Sequence, residues 1–535
     1  MMRYIRIYWR NKRLLVLVLF LTLSLTLIRL NQPRESLEAA GEPRQHLKDV
    51  VVDINIRRCL KWRRCAPSNG WNGIGGSLSE YSNSWSLYKY YIELRKVPSS
   101  KATRGLTDFS LGATPIYALD EEWTHTKTGG LFLWKRYIDT SSADFQTTPI
   151  IRYVEILAGD RDLQDTRDKW YFQEQELDLP FGTKIPLHFS SLKLSLTEQQ
   201  QAEEQRNNFN KAREEGRLIL NNDKVRIMQI SDMHFTNSFE ICTGKECFRD
   251  MNTIMFISSV LDEEAIDLIV ITGDLIDFAV CHDYRSAVLK ALAPIIEKKI
   301  PFIFTFGESD TNEFNSAALN SRKRQILSYI SSLPGSYNTI PEKDMHGLSN
   351  YHISVVRESD SHPMVLLTIL DSEDRKIDES QVNYLYRLNQ NVGQDVAKLL
   401  LFHYPLSIFR PTGVFQLVGS YNQQHELKSK ANNKIRDDIV SCGYHVIAVG
   451  HEHENDACIL DVKTGGDNDK LQNEVWLCYS GVTGDTSKTI FKQDTERTLR
   501  IFEYDFATKK LITWKRNEKS GLGFDYQIIK DLENT

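Results

Sequence analysis

Asp232-x-His234 follows the apolar run that ends at Ile230, and four further groups of carboxylates and imidazoles recur downstream in order. They are Gly273-Asp274, Gly307-Glu308-Ser309-Asp310, His403-Tyr404-Pro405 and Gly450-His451-Glu452-His453. A lone histidine after a strand is ordinarily satisfied by its neighbours. Carboxylates and imidazoles placed after successive strands can instead converge at one edge of an open sheet, and that donor set describes a metal site. Asp232 and Asp274 are 42 residues apart (274 − 232), room for a strand, a loop, a crossover helix and a return strand. Carboxylates that emerge side by side suit two divalent cations about 3.5–4 Å apart, which share one carboxylate and can hold a hydroxide for in-line attack on phosphorus. No Gly-rich phosphate loop, nucleophile elbow or zinc-protease motif competes.

The elements that must position these groups are short buried strands alternating with helices. Val225–Ile230, Asp267–Thr272, Pro301–Phe306, Val365–Leu370, Leu399–Phe402 and His445–Val449 are apolar runs of strand length, while 251–263, 283–298, 313–331, 378–391 and 428–441 have helical character. Val475–Tyr479, Thr498–Tyr504 and Lys510–Trp514 follow without intervening helices, so a second, mixed sheet is expected. The fold class is α/β, a four-layer αββα sandwich with an N-terminal β-rich accessory region and an N-terminal membrane segment. From 224 onward the chain runs in repeated strand and helix units that carry these blocks, and 516–535 reads as a C-terminal tail. Upstream, 51–195 is aromatic and β-branched and reads as a packing or specificity module without a chemical motif, and 196–223 reads as an exposed connecting helix rich in Glu and Gln.

The 535 residues exceed one ordinary domain, and 41% hydrophobic content describes a folded chain. A net charge of −5 without a long basic run beyond the N-terminus argues against nucleic acid as a partner. Residues 1–13 are basic and 14–28 are uncharged and apolar, about 22 Å long as a helix, so a signal h-region and a short signal anchor compete. No small-residue cleavage pattern follows closely. The expectation is an uncleaved transmembrane signal anchor at 14–28 with a stalk at 29–50, and a single-pass membrane protein of the endoplasmic reticulum, Golgi or vacuole with its N-terminus in the cytoplasm. The chain has no Asn-x-Ser/Thr acceptor, which opposes a lumenal domain and leaves its side of the membrane open. Cys59/Cys65 and Cys242/Cys247 are spaced as candidate disulfides, and Cys281, Cys442, Cys458 and Cys478 read as scattered thiols.

The five ordered blocks resemble those of the calcineurin-like metallophosphoesterases, over about residues 224–515. Cys242-x4-Cys247 and Asn455-Asp456-Ala457-Cys458 are similar to the purple-acid-phosphatase-like branch of fungi and plants, including fungal phosphatases with an N-terminal membrane segment. The resemblance implies Asp232, His234 and His453 on a first metal, Asp274 as a bridge, and His403 and His451 on a second. It implies two ions of Fe, Mn or Zn, or one if the second position is lost. Where the family carries Asn and then His, this chain has Glu308 and Ser309. Glu308 could still bind a cation through oxygen, whereas Ser309, at the general-acid position, offers a hydroxyl that does not titrate near neutral pH. His282 and His346 lie in loops that could supply a substitute imidazole. The implied function is a metal-dependent phosphatase acting on a phosphate monoester, with a phosphoprotein as one candidate substrate, by a metal-bound hydroxide. The alternative is a catalytically impaired metal-binding protein serving as a membrane-attached recognition or scaffold module.

Overall fold

The computed structural model describes residues 48–533 except 64, 83–85, 113–122, 160–162, 238–248, 312–315, 340–344, 360–361, 391, 394, 412, 423–426, 428–433, 463–473 and 485–495. Two mixed sheets form the larger part. One has six strands in the order Phe302–Thr305, Leu268–Thr272, Lys224–Ile230, Thr498–Asp505, Lys510–Asn517 and Phe524–Asp531. The other has eight, in the order Arg217–Leu220, Tyr351–Arg357, Pro363–Ile369, Ala397–Phe402, Val446–Val449, Glu474–Tyr479, Cys458–Val462 and Gln416–Val418. The three closing stretches, expected to build a second, mixed sheet, are divided between the two. Thr498–Asp505 and Lys510–Asn517 extend the six-stranded sheet, and Glu474–Tyr479 runs parallel to Val446–Val449 in the other.

Side-chain alternation along a strand explains the layering. Leu399, Leu401, Val446 and Ala448 join a core with Ile227, Leu268 and Ile303 of the facing sheet. Their neighbours Leu400, Phe402, Ile447 and Val449 point the other way, into a core with Leu385 of helix Glu379–Asn389 and Ile439 of helix Ile435–Ser441. Helices Arg249–Glu263, Tyr284–Glu297 and Ser316–Ser332 cover the outer face of the six-stranded sheet through Ile257, Leu292 and Ile330. The buried Gln229 amide donates to Thr272 Oγ1 of its own sheet at 3.0 Å and, across the seam between the sheets, to the Val449 carbonyl at 3.2 Å.

The N-terminal region is β-rich, with three three-stranded antiparallel sheets between Asp49 and Leu194 around a common core that includes Ile54, Leu106, Leu133, Val154 and Phe189. It docks on helix Tyr284–Glu297: the Ala158 amide donates to Ser286 Oγ at 2.8 Å and Thr166 Oγ1 to the Ala293 carbonyl at 2.8 Å. Arg167, stacked 3.5 Å from the Trp170 ring centre, ties this edge together through Glu155 and Asp165.

Several sequence expectations change. The connecting helix spans only Leu196–Glu214, after which Gly216, in the left-handed region at φ +60°, turns the chain into strand Arg217–Leu220. Within 516–535, read as a C-terminal tail, Phe524–Asp531 pairs with Lys510–Asn517 as an edge strand. Cys458 and Cys478, read as separate thiols, are a disulfide joining directly opposed residues of adjacent strands; Cys59–Cys65 is also bonded, and Cys242 and Cys247 lie outside the described residues. The single-pass membrane placement is corrected. Among the described residues no helix is long and apolar enough to cross a membrane. The longest, Leu196–Glu214, is dominated by Glu, Gln and Asn. Residues 14–28, on which that placement rested, lie outside those described.

His445, just before strand Val446–Val449, should make the fold acid-sensitive. The Lys398 amide donates to His445 Nδ1 at 3.1 Å, which needs a neutral ring, and burial with the nearby Lys530 and Lys398 pushes the His445 pKa down to about 3. The unfolded chain therefore binds a proton that the folded chain refuses between pH 6.5 and about 3, so stability rises with pH across that window. Urea unfolding should show about 2 kcal/mol lost between roughly pH 6.5 and 4.5, and His445→Gln should flatten that dependence.

Candidate metal centre

Every ligand candidate sits just past the end of a strand. Lys224–Ile230 delivers Asp232 and His234, Leu268–Thr272 delivers Asp274, and Phe302–Thr305 delivers Glu308 and Ser309, all from the six-stranded sheet. The eight-stranded sheet supplies His403 after Ala397–Phe402, and His451 and His453 after Val446–Val449. The turns are tight. Asp232, His234, Asp274 and His451 have φ of 55°, 49°, 51° and 69°, a left-handed conformation that ordinary residues adopt rarely and that concentrates at functional sites.

Two donor groups result, Asp232 with His234 and His453, and Asp232 with Asp274 and His403, each with its ligand atoms within 4.8 Å of one another. His234 Nε2 and His453 Nε2 are 3.3 Å apart. Two nitrogens that bind one cation at about 2.1 Å lie roughly 3.0–3.4 Å apart, so this spacing suits a shared metal. Asp274 Oδ2 stands between the halves, 3.5 Å from His234 Nε2 and 3.8 Å from His403 Nε2. His403 supplies the clearest test of fit. Its Nδ1 is 2.8 Å from the Thr272 carbonyl, an acceptor only, so Nδ1 carries the hydrogen. In the neutral ring Nε2 is then a lone-pair donor, and it is buried without a hydrogen-bond partner on the side facing the carboxylates. A backbone carbonyl that fixes the tautomer of an imidazole in this way is the usual support of a metal-ligating histidine.

Electrostatics point the same way. Burial alone would push both carboxylates up, but His453, His403 and His234 hold Asp232 below its ordinary range, and His403 and His234 do the same for Asp274. Burial opposes charge on His403 and His453 too, yet Asp274 and Asp232 raise the former and Asp232 the latter. Burial, with His403 beside it, keeps His451 neutral. A site that holds two ionised carboxylates among imidazoles attracts cations.

Residues 225–455 match the calcineurin-like phosphoesterase family. The chain carries a calcineurin-like metallophosphoesterase domain. It is 35% identical over 321 residues to Protein SIA1 of Kluyveromyces lactis, covering 58% of this chain and 52% of that protein. It is 30% identical over 345 residues to Phosphatase DCR2 of Saccharomyces cerevisiae, with 58% and 56% covered. To Probable inactive purple acid phosphatase 29 of Arabidopsis thaliana it is 26% identical over 354 residues, with 58% and 86% covered. The chain thus spans about half the length of the two yeast relatives it matches.

The metallophosphoesterase domain does not bring every candidate inward. Glu308 lies outside both donor groups; its side chain is 51% exposed and pairs with Arg375 at 3.1 Å. His451 also stands outside them: its amide donates to Asp232 Oδ2 at 2.9 Å, and its ring packs against Tyr404 and His403 with centroids 4.3 and 5.3 Å away. Ser309 is buried, and its amide donates to Asp274 Oδ1 at 2.6 Å, so its backbone holds the central carboxylate. Neither substitute imidazole is placed at the site. His346 directs Nε2 to the Glu373 carbonyl at 3.0 Å, and the His282 amide donates to Asn237 at the seam with the β-rich region.

Two supports have no role in the sequence reading. Asp310 accepts from the amides of Gly307, Asp274 and Ile276 at 2.8, 3.0 and 3.1 Å, clamping two metal loops together; burial and the neighbouring Asp274 raise its pKa. Thr483 and Gly484 donate their amides to the carbonyls of Ser231 and Asp232, at 3.0 and 3.2 Å, bracing the first loop. The carboxylate three residues after Gly307 and the Gly481-Val-Thr-Gly484 run are the signals that could have found them.

Gly307 is required by close approach, since a Cβ there would collide with the Asp274 carboxylate and amide. Gly307→Ala should therefore cost on the order of tenfold or more in Mn or Zn affinity by displacing Asp274, without removing a donor. Metal titration of the full chain, with far-UV circular dichroism to monitor the fold, checks this.

Proposed function

We propose that this protein is a metal-dependent phosphatase that hydrolyses phosphate monoesters and uses Asp232, His234 and His453 for one cation and Asp274, Asp232 and His403 for a second. The observation that carries this reading is the Nε2 lone pair of His403, fixed by the Thr272 carbonyl and aimed into the carboxylate cleft. Bound cations would supply Lewis acidity to a phosphoryl oxygen and acidify a water near neutral pH. The chain's own groups set the rest. Asp274, held by the Ser309 amide, presents Oδ2 to both halves, and the His451 amide keeps Asp232 aligned. Ser309 has no imidazole with which to protonate a leaving oxygen, so aryl phosphates, whose leaving groups depart without help, are the favoured class, and phosphoserine-type alkyl esters are slow. Phosphotyrosine proteins fit this chemistry as physiological substrates.

A second reading is favoured by one observation, the outward turn of Glu308 toward Arg375. It removes the further oxygen donor that this loop would give the second position, and a chain that fills only the Asp232, His234 and His453 position is a one-metal phosphate-recognition module. One experiment separates the two. With Mn, Fe or Zn supplied, the wild-type chain should hydrolyse p-nitrophenyl phosphate, and Asp274→Asn should lower the rate by on the order of 10² or more. The double change Glu308→Asn/Ser309→His should raise turnover of an alkyl phosphate by on the order of 10–10². A wild-type chain that binds a single metal and is inert until that double change is made supports the recognition module instead.

A further inference from the structure

The side of the site that lacks the family's Asn and His is walled by an arginine without an assigned role. Arg375 ends the turn Glu373–Arg375, in which Asp374 and Arg375 both have φ of 58°. With Asp232, His234, Asp274 and His451, they make six of the ten non-glycine residues of positive φ among those described. Strained backbone of this kind persists where surrounding structure fixes it, and here the fixing contacts lead to the metal loops. The Tyr404 amide, next to His403, donates to Ser372 Oγ at 2.8 Å, and the Arg375 amide donates to the Ser372 carbonyl at 3.0 Å. Asp371, just before, is held by the amides of Leu348 and Ser349 and by Lys323. The arginine's backbone is thus pinned to the strand end that carries His403.

Its side chain faces the same way. The guanidinium lies 4.8 Å over the Tyr404 ring, and that ring lies against His451. Its other partner is Glu308, the residue before Ser309, at 3.1 Å. Glu308 also acts electrostatically on His451, so the pair sits above the second-metal half of the cleft. The two side chains are 38% and 51% exposed, and an ion pair that open to water is weak. A phosphate dianion offers a guanidinium more charge and a bidentate set of oxygens, so it can draw Arg375 away from a monocarboxylate. The aromatic plane beneath keeps the guanidinium oriented while it changes partner.

We propose that Arg375 binds the phosphoryl oxygens of the ligand, and that Glu308 holds it in reserve when no phosphate is present. Arg375 then contributes at this rim the positive charge that Ser309 cannot. The inference rests on the phosphate-ester reading given above and deepens it by naming the residue that recognises the phosphoryl group.

Inorganic phosphate is the probe, titrated calorimetrically into the full-length chain loaded with Mn, with metal content measured alongside. Arg375→Gln should weaken phosphate binding by tenfold or more with metal content unchanged. Arg375→Lys, which keeps charge without the fork, should recover part of it. Glu308→Gln, which frees the arginine, should tighten binding several-fold. In turnover of p-nitrophenyl phosphate the Arg375→Gln effect should appear in KM and in product inhibition more than in kcat, a split that a merely structural role does not produce. Wild-type binding of phosphate that Arg375→Gln leaves within twofold overturns the assignment alone. A metal-loaded wild type that binds no phosphate overturns the underlying reading as well.

Discussion

Two ionised carboxylates, Asp232 and Asp274, lie buried in one cleft, and much of the surrounding structure is organised to tolerate them. Like charges removed from water are costly unless each oxygen finds a donor or a cation. Asp232 takes the His451 amide and Asp274 takes the Ser309 amide, so each carboxylate is held by the backbone of a loop from a different strand. Asp310 then gathers three amides from the Gly307 loop and the Asp274 loop. The left-handed turns at Asp232, His234, Asp274 and His451 are a cost of the same arrangement, because only so sharp a turn brings amide, carboxylate and imidazole into one small volume. A divalent cation is the natural partner for what remains unpaired.

The support is uneven across the cleft. The half formed by Asp232, His234 and His453 has its three donor atoms close together, with little displaced from the arrangement that a cation would require. The other half rests on Asp274 and His403, with His451 flanking and Glu308 turned outward. Ser309 illustrates how one position can keep a structural duty and lose a chemical one: its amide steadies Asp274 whatever its side chain is, so the loop tolerates the loss of an imidazole without losing its shape.

Much of this was legible in the sequence for a simple reason. Strands buried on both faces, such as Leu268–Thr272 and Val446–Val449, are near-continuous apolar runs, and the carboxylates and imidazoles that follow their C-terminal ends mark the site edge. Convergence of Asp232, His234, Asp274, His403 and His453 followed from that. The outward turn of Glu308 was not legible, since a partner 67 residues away, Arg375, sets it. Nor was the Cys458–Cys478 bond, because a cross-strand pair depends on register and not on closeness in sequence. Phe524–Asp531 was hidden by its mixed, edge-strand composition, with Tyr526 and Ile528 exposed. The membrane reading rested on residues 14–28, which lie outside those described, and among the described residues no helix is long and apolar enough to cross a membrane.

The carboxylates and His234 ride on one sheet, and the remaining imidazoles ride on the other. The cleft is therefore a vice with its jaws in separate layers, and the gap between them is set by whatever lies in the seam. Gln229 is a gauge block in that seam, bonded to the strand before Asp274 and to the last residue before the Gly450 loop. A sheet slide of a few tenths of an ångström, too small to unfold anything, would open or close the jaws and retune which cation fits, with every ligand still in place.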